Sequence, residues 1–260
     1  MTPWVKRLLI VNILIWVLFW PGLFGAGLSW EFVRNYLALV PADLHVRPWT
    51  AVTYMFLHAQ TIWHILFNMI VLFFFGPRVE AKLGGTHFLI LYFVSGLMGA
   101  IFSLVTPMAA VIGASGAVLG VLYGFARYWP RERIYIWAIL PVEARFLVGF
   151  LVIFSIVAGF GGAQDGVAHF AHLGGLVGGF VFLFWRDRNT RAAKFKRKVE
   201  GPRVHVVSGR DVERWRSVDP EDLHPLNRQE YERILGKVEE KGADSLTPLE
   251  RGFLDRFVRD

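Results

Sequence analysis

The sequence predicts an all-α polytopic membrane protein: a bundle of six transmembrane helices followed by a small helical region on the cytoplasmic side. The 260 residues are 54% hydrophobic and only 19% charged, less charge than a soluble domain usually carries. Long apolar runs dominate from Leu8 to Trp185, and the chain turns polar after Arg186. Lysine and arginine are concentrated in alternate connecting segments, as in proteins that cross a bilayer repeatedly.

Six apolar runs predict the helices, although several are shorter than the roughly 20 residues that a full crossing needs. The runs are Leu8–Leu28, Thr61–Gly76, His87–Val105, Val111–Tyr128, Phe146–Phe160 and Val167–Trp185. Lys6 and Arg7 before the first run also fit a secretory signal peptide, but that run continues past Pro21 and five more follow, which favours a retained helix. The apolar segment Ile134–Pro141 is interpreted as an interfacial loop, because charged residues follow it closely.

The distribution of positive charge predicts the orientation. With the N-terminus inside, the predicted inner segments hold most of the lysines and arginines, whereas the outer segments hold only Arg34 and Arg47. This arrangement gives a membrane domain over 1–186, a basic polar linker over 187–225 and a small soluble helical hairpin over 226–260, with both termini in the cytoplasm. The basic cluster of the linker fits a cytoplasmic membrane flank, so we expect the lipid bilayer and no nucleic acid as a partner.

Polar side chains from three predicted spans lie at one depth. The second, fourth and sixth spans all run from outside to inside, so their first turns lie near the outer face. The polar residues about 3–11 Å below these outer ends are His64, Asn68, Ser115, His169 and His172. Each has a structural interpretation, since serine is a common packing residue in membrane helices and a histidine can donate to a neighbouring carbonyl. Their convergence on one layer instead favours a functional site.

Glycines spaced by four predict that the fourth and sixth spans touch. The fourth span has Gly116, Gly120 and Gly124, and the sixth has Gly174 and Gly178 beside Gly175 and Gly179. Such stripes let two helix backbones approach closely, which would bring Ser115 next to a histidine of the sixth span.

These residue types suit nucleophilic catalysis by serine. Histidine can take the proton of Ser115, and the Ser115 N–H, the His64 ring and the Asn68 amide can stabilise an oxyanion. The second, fourth and sixth spans contain no carboxylate, and Asp165 lies in an outer loop, so we predict a Ser–His dyad. Cysteine and a His-Glu-x-x-His motif are absent, which argues against thiol and zinc proteases.

Four motifs, in order between about Trp49 and Trp185, resemble the rhomboid family of intramembrane serine proteases. The first two are WTAVTYMFLHAQTIWHILFNM, with its His-x-x-x-Asn pair, and FGPRVEAKLG, with Glu80 and Gly84. The other two are GASGAVLG, which resembles the family's Gly-x-Ser-Gly nucleophile motif, and AHLGGLVGG, which resembles its histidine motif.

The resemblance implies cleavage of membrane-anchored proteins within or beside their transmembrane helix, without a metal or cofactor. It implies that Ser115 is the nucleophile, that His172 is the base and that His64 and Asn68 are the oxyanion donors. His172 is preferred over His169 because one residue separates it from the glycine pair, as in the family.

Two positions depart from the family pattern. Thr50 follows Trp49 where many rhomboids have arginine, so the first loop must be held without that arginine's ion pairs. Leu119 stands where some members have a tyrosine that stacks on the catalytic histidine, so we expect apolar packing to orient His172.

The first outer loop and the tail carry further expectations. The loop from Ser29 to about Gln60 is rich in apolar residues and is expected to lie partly embedded at the membrane surface. In the tail, Gly242 is expected to end one helix, and Thr247 to Glu250 reads as a capping box for the next. The expected apolar faces of these two helices are Tyr231, Ile234, Leu235 and Val238, and Leu249, Phe253, Leu254 and Phe257.

The function that we predict is an intramembrane serine protease acting on transmembrane protein substrates. One alternative is a catalytically silent rhomboid-like protein that binds membrane clients, which would be expected to lack the serine or the histidine. A transporter would need polar residues through the full depth of the bundle, whereas these stay in its outer half. The absence of disulfides and of an organelle-targeting sequence fits a bacterial inner membrane, and no motif indicates an oligomeric state or a substrate.

Overall fold

The computed structural model describes residues 1–19, 30–136, 139–162, 167–190 and 209–258, and the chain divides into two compact units, Met1–Asp187 and Arg188–Asp260. The helices that begin in the first unit are α1 (Pro3–Leu18), α2 (Trp30–Phe32), α3 (Thr50–Thr53), α4 (Ile62–Leu83), α5 (Gly85–Phe102), α6 (Ser115–Tyr128), α7 (Ala144–Phe160) and α8 (His169–Asn189). The strands β1 (Arg133–Ile136) and β2 (Leu140–Glu143) lie between α6 and α7. The second unit contains α9 (Gly209–Arg216), α10 (Pro225–Lys241) and α11 (Pro248–Asp255).

Two of the described helices are long and apolar enough to cross a membrane. These are α4 and α5, the latter counted with the short turn that extends it to Val105; α7 is apolar but shorter. The predicted second span ended at Gly76, but α4 continues through Pro77 to Leu83 and ends where Gly84 takes φ = 79°. Of the predicted first span, residues 20–28 lie outside the described part of the chain.

The start of the predicted fourth span is wrong. Val111 to Ala114 are not helical, and Val111 instead pairs with Leu39 of the first loop in an antiparallel bridge. The physical reason is Gly113, whose φ of 124° is incompatible with a right-handed helix. As a result α6 begins at Ser115 itself.

Glycine contacts bring α6 and α8 together, as the sequence predicts. A Cβ added to Gly175 would overlap the Gly116 carbonyl, and one added to Gly179 would lie 3.0 Å from the Gly120 Cα. The other two glycines of α8 face a different helix: a Cβ at Gly178 would lie 2.8 Å from the Cα of Ser95 on α5. One helix therefore uses two adjacent glycine rows to approach two neighbours.

A buried carboxylate fixes the start of α1 against α4. Glu80 is only 4% exposed, and its oxygens accept the backbone N–H groups of Trp4 at 3.1 Å and Val5 at 2.9 Å. These N–H groups have no partner within their own helix, so the carboxylate satisfies the helix end.

The segment interpreted as an interfacial loop contains a two-stranded antiparallel hairpin. Its register pairs Arg133 with Glu143 and Ile136 with Leu140. Because the described residues on either side are extended, this segment does not contribute a further spanning helix.

The second unit differs in two ways from the predicted hairpin. Helix α9 lies within the segment predicted as a linker, and its Trp215 is 2% exposed and packs with Tyr231, Ile234 and Leu254. Leu249, predicted to belong to the apolar face of the last helix, is 87% exposed because the apolar positions of α11 that face the core come one turn later. The capping box of Thr247 and Glu250 is confirmed, as is the helix end at Gly242, where φ is 78°.

Candidate active site

A serine and a histidine from two different helices meet in the first unit. Ser115 is the first residue of α6, and His172 lies in the first turn of α8. The Ser115 Oγ lies 2.7 Å from the His172 Nε2, a normal hydrogen-bond distance. The glycine contacts between α6 and α8 allow this distance, because they bring the two backbones together just below the pair.

The backbone before Ser115 is held in an extended form by the first loop. Val111 exchanges two backbone hydrogen bonds with Leu39, of 2.7 and 3.0 Å, and the Gly113 N–H donates to the Tyr54 carbonyl at 2.9 Å. Tyr54 is itself fixed, since its hydroxyl donates to the Gly96 carbonyl at 2.7 Å. The sequence analysis does not predict Tyr54, because this residue acts through its backbone carbonyl and such a contact produces no sequence motif.

The His64 ring has a defined orientation beside the serine. Its Nδ1 accepts the Ala59 backbone N–H at 3.1 Å, so the neutral ring carries its proton on Nε2. That nitrogen borders Gly113, where a Cβ would lie 2.7 Å from the His64 Nε2 and 3.7 Å from the Ser115 Oγ. A donor N–H and the serine oxygen therefore face the same small space, which only a glycine leaves open.

Asn68 lies one turn further along α4 and is 6% exposed. Its Nδ2 donates to the His64 carbonyl at 2.8 Å, so one amide N–H is engaged within the helix. Asn68 also lines the cleft that contains Ser115, which leaves its second N–H as the group that could serve the site.

These side chains line one cleft of about 810 Å³. Most of its wall is apolar, and Leu119 is part of it, together with Trp63, Phe67 and Leu151. In a mainly apolar cleft each hydrogen-bond donor is worth more than it would be in water.

His169 does not line the cleft that contains Ser115 and His172. It is 4% exposed, with its ring 5.6 Å from Phe154 and 6.4 Å from His172, measured between ring centroids. It lines a second cavity of about 390 Å³ together with Ser103 and Thr106. His172, not His169, is therefore the histidine that hydrogen-bonds with Ser115.

A further buried histidine, His58, is not among the residues that the sequence analysis predicts for the site. It is 6% exposed, and its ring contacts that of His64 edge to face, with centroids 5.2 Å apart. The signal was available, because His58 stands in the apolar stretch MFLHA. This ring helps to hold His64 in its orientation.

At Trp49 and Thr50, the second of which stands where the family pattern has arginine, the first loop is held by hydrogen bonds to backbone carbonyls. Thr50 is 1% exposed and its hydroxyl donates to the Arg47 carbonyl at 2.7 Å, while the indole N–H of Trp49 donates to the Tyr36 carbonyl at 2.8 Å. At this position the loop is therefore held by a hydroxyl and an indole N–H, each donating to a backbone carbonyl.

The first unit is helical, exposes large apolar side chains and holds a half-buried serine–histidine pair at the start of two closely packed helices. Residues 45–188 match the Rhomboid domain family model, which is more than half of the chain. The chain therefore belongs to the rhomboid family, whose members are embedded in membranes.

Several curated proteins are similar to this chain. Rhomboid protein 1, mitochondrial, of Saccharomyces cerevisiae is 31% identical over 184 residues, 68% of this chain and 52% of the yeast protein. Rhomboid-like protease 3 of Toxoplasma gondii is 31% identical over 153 residues, 58% of this chain and 56% of that protein. RHOMBOID-like protein 2 of Arabidopsis thaliana is 33% identical over 160 residues, 58% of this chain and 49% of that protein.

The chain spans about half the length of the curated relatives that it matches. These relatives include a mitochondrial and a plant protein, so the similarity supports a membrane protein but not the predicted bacterial inner membrane.

Proposed function

We propose that this protein is an intramembrane serine endopeptidase that cleaves membrane-anchored proteins within or next to their transmembrane helix. The observation that carries the proposal is the 2.7 Å distance between the Ser115 Oγ and the His172 Nε2 in a largely apolar cleft. The similarity to Rhomboid-like protease 3 of Toxoplasma gondii supports it.

In the proposed reaction, His172 Nε2 accepts the Ser115 proton as the serine oxygen attacks the scissile carbonyl. The carbonyl oxygen becomes an oxyanion, and three N–H groups could receive it: His64 Nε2–H, the Ser115 backbone N–H and the second N–H of Asn68. The Ser115 N–H is unused within α6 because it belongs to the first helical residue.

The intermediate then collapses, the C–N bond breaks, and His172 returns the proton to the leaving amine. The acyl group stays on Ser115 until water, deprotonated by the same histidine, attacks it and releases the carboxylic acid. None of the described residues that line the cleft is a carboxylate, so the proposed base works in a dyad.

The proposal includes six membrane-spanning helices, cytoplasmic termini and a site that opens towards the outer face. The natural absence of cysteine makes this testable, because a single introduced cysteine is a unique label. In sealed cells or right-side-out vesicles, an impermeant thiol reagent should label Asn35→Cys directly and Ser217→Cys only after lysis. Labelling of both sites before lysis would overturn the orientation.

The decisive experiment compares the native protein with Ser115→Ala on a transmembrane reporter whose helix is unstable, in detergent. We expect cleavage to fall by about 10³-fold or more, since nucleophile loss removes the covalent route. Ser103→Ala is the matched control, because Ser103 donates only to the Gly99 carbonyl, at 2.9 Å, and should keep its cleavage.

Unchanged thermal unfolding in both variants shows that the fold persists. Equal cleavage by the native protein and Ser115→Ala would remove Ser115 from the chemistry. No cleavage of any reporter by the native protein would favour the alternative function, a silent protein that binds membrane clients.

A further inference from the structure

The two arginines of the first loop differ in their partners. Arg47 forms an ion pair with Asp43, four residues earlier on the same turn of chain. Arg34 is exposed, and among the described residues it makes no ion pair and no hydrogen bond, although Glu31 lies three residues before it. An arginine guanidinium keeps its charge and presents several N–H donors, so Arg34 is a binding group without an internal partner.

Arg34 lines the cleft that holds Ser115 and His172. Among the described residues of that lining it is the only lysine, arginine, aspartate or glutamate; the other ionisable groups are His64 and His172. A carboxylate that reached Arg34 would meet a positive charge beside apolar walls, where a charge-assisted hydrogen bond is stronger than in open water.

The turn that carries Arg34 is fixed relative to the serine. Val33 is 1% exposed and packs in one cluster with Leu57 and Ile112, the latter three residues before Ser115. The Thr53 hydroxyl donates to the Leu37 carbonyl at 2.6 Å, which secures the other end of the turn. The guanidinium therefore extends from a backbone whose distance to the reacting atoms is set by packing.

We infer that Arg34 selects substrates that carry an aspartate or glutamate in the extramembrane segment beside the cleavage site. This inference rests on the proposed function, since it assigns substrate preference to the same cleft. A substrate carboxylate is favoured over a lipid phosphate because the cleft wall that contains Arg34 also contains Ser115. A peptide bound at Ser115 therefore brings its own carboxylates closer to Arg34 than any other source of negative charge.

The proposed ion pair between Arg34 and the substrate carboxylate should act mainly on substrate binding. Arg34 extends from the loop and is not placed to follow the charge that develops at the scissile carbonyl, so it should stabilise the bound substrate and the transition state alike. Such uniform binding changes KM and leaves kcat nearly unchanged.

The test uses one transmembrane reporter with aspartate, asparagine or lysine placed in turn at each position flanking the scissile bond. The full-length native protein, Arg34→Gln, Arg34→Glu and the matched control Arg47→Gln are compared in detergent free of phospholipid. For the native protein we expect kcat/KM to be about fivefold higher for aspartate than for asparagine at one or two positions, the size of a partly exposed ion pair.

Arg34→Gln should remove that preference through KM, Arg34→Glu should reverse it in favour of lysine, and Arg47→Gln should keep it. An aspartate preference that survives in Arg34→Gln would overturn the inference. An effect of Arg34→Gln that is equal for all three reporters, or that emerges only when anionic phospholipid is added, would overturn it in favour of a structural or lipid-binding role.

A binding measurement separates this inference from the proposed function. Ser115→Ala, with and without Arg34→Gln, is titrated with fluorescent aspartate and lysine versions of the reporter. If the native protein cleaves nothing but Arg34-dependent binding of the aspartate peptide persists, the catalytic proposal fails and the recognition site stands. Equal binding of both peptides to Ser115→Ala would overturn the recognition site whatever the activity.

Discussion

Both units of this chain bury apolar side chains, but among the described residues only the first unit also buries polar ones. In Met1–Asp187, helices meet through glycine backbones and polar side chains lie inside, while large apolar side chains such as Phe74 and Phe160 are 64% and 75% exposed. In Arg188–Asp260, the described residues bury aromatic side chains such as Trp215 and Tyr231 and place ion pairs on the surface.

This difference shows which unit can form a catalytic site. A polar group buried among apolar neighbours costs free energy unless its partner is fixed, and the first unit fixes such partners at the starts of α4, α6 and α8. The second unit contains ionisable groups mainly at its surface, where water screens them. A convergent cleft therefore exists in the first unit, and variants of each unit can test how far the two are independent.

The largest effect is expected from the two histidines of α8. His172→Ala should lower cleavage by about 10³-fold or more because the proposed base is lost, whereas His169→Ala should stay within about tenfold of the native rate. Both are read from initial rates on the transmembrane reporter, with thermal unfolding to establish folding. If His169→Ala were as inactive as His172→Ala while still folded, the assignment of the base to His172 alone would be wrong.

One substitution should destabilise the second unit while leaving the candidate active site intact. Trp215→Ala removes a buried indole and its 2.8 Å hydrogen bond to Asp255, so we expect about 3–5 kcal/mol of destabilisation within that unit. Hydrogen exchange of α10 amides in the full-length protein measures the effect, and reporter cleavage should persist. Leu249→Ala is the control, since an 87% exposed leucine should contribute little. Loss of cleavage in folded Trp215→Ala would show that the units are coupled.

The glycine contact should tolerate no added methyl group. Gly175→Ala places a Cβ on the Gly116 carbonyl, and we expect about 1–3 kcal/mol of destabilisation together with reduced cleavage, because α6 and α8 must separate. Gly149→Ala on α7 is the matched control: a Cβ there has nothing within 4 Å, and alanine favours a helix. Equal thermal midpoints for the two variants would contradict the proposed importance of the contact.

Much of the fold was predictable because membrane helices leave long apolar runs. The fourth run nevertheless misplaced a helix start, since the apolar stretch continues on both sides of Gly113 and only the backbone geometry of that glycine separates extended chain from helix. Likewise, spacing predicts a glycine stripe but not which of two adjacent glycine rows faces which neighbour. That assignment depends on three helices packing at once.

The candidate site was predictable where side chains carry the signal. Ser115 and His172 stood out because polar residues in apolar helices are few, and the structure brings these two together. Tyr54 and Ala59 were not predictable, since they act through a carbonyl and an N–H that every residue possesses. His58 carries the same signal as His64, a histidine in an apolar stretch, although it lies in the loop before the second span.

The smallest expected effect concerns a surface network of the second unit. The Lys237 ammonium, 2.8 Å from the Glu250 carboxylate, and then the Thr247 backbone N–H lower the pKa of Glu250 to about 2, from an ordinary value of 4.5. Because the folded state binds the proton less tightly than the unfolded chain does, this stabilisation is complete above about pH 4.5 and is lost as the pH falls towards 2.

Hydrogen exchange of α11 amides between pH 6 and pH 2.5, corrected for the intrinsic pH dependence of exchange, should therefore show a loss of protection on acidification. Glu250→Gln should be less protected at pH 6 and should lose less on acidification, because the amide cannot be neutralised. Glu240→Gln is the control, since among the described residues Glu240 makes no ion pair, and it should follow the native curve. If protection in Glu250→Gln fell with pH as steeply as in the native protein, another carboxylate would cause the acid sensitivity. The capping box would then have no influence on the pH dependence of this unit.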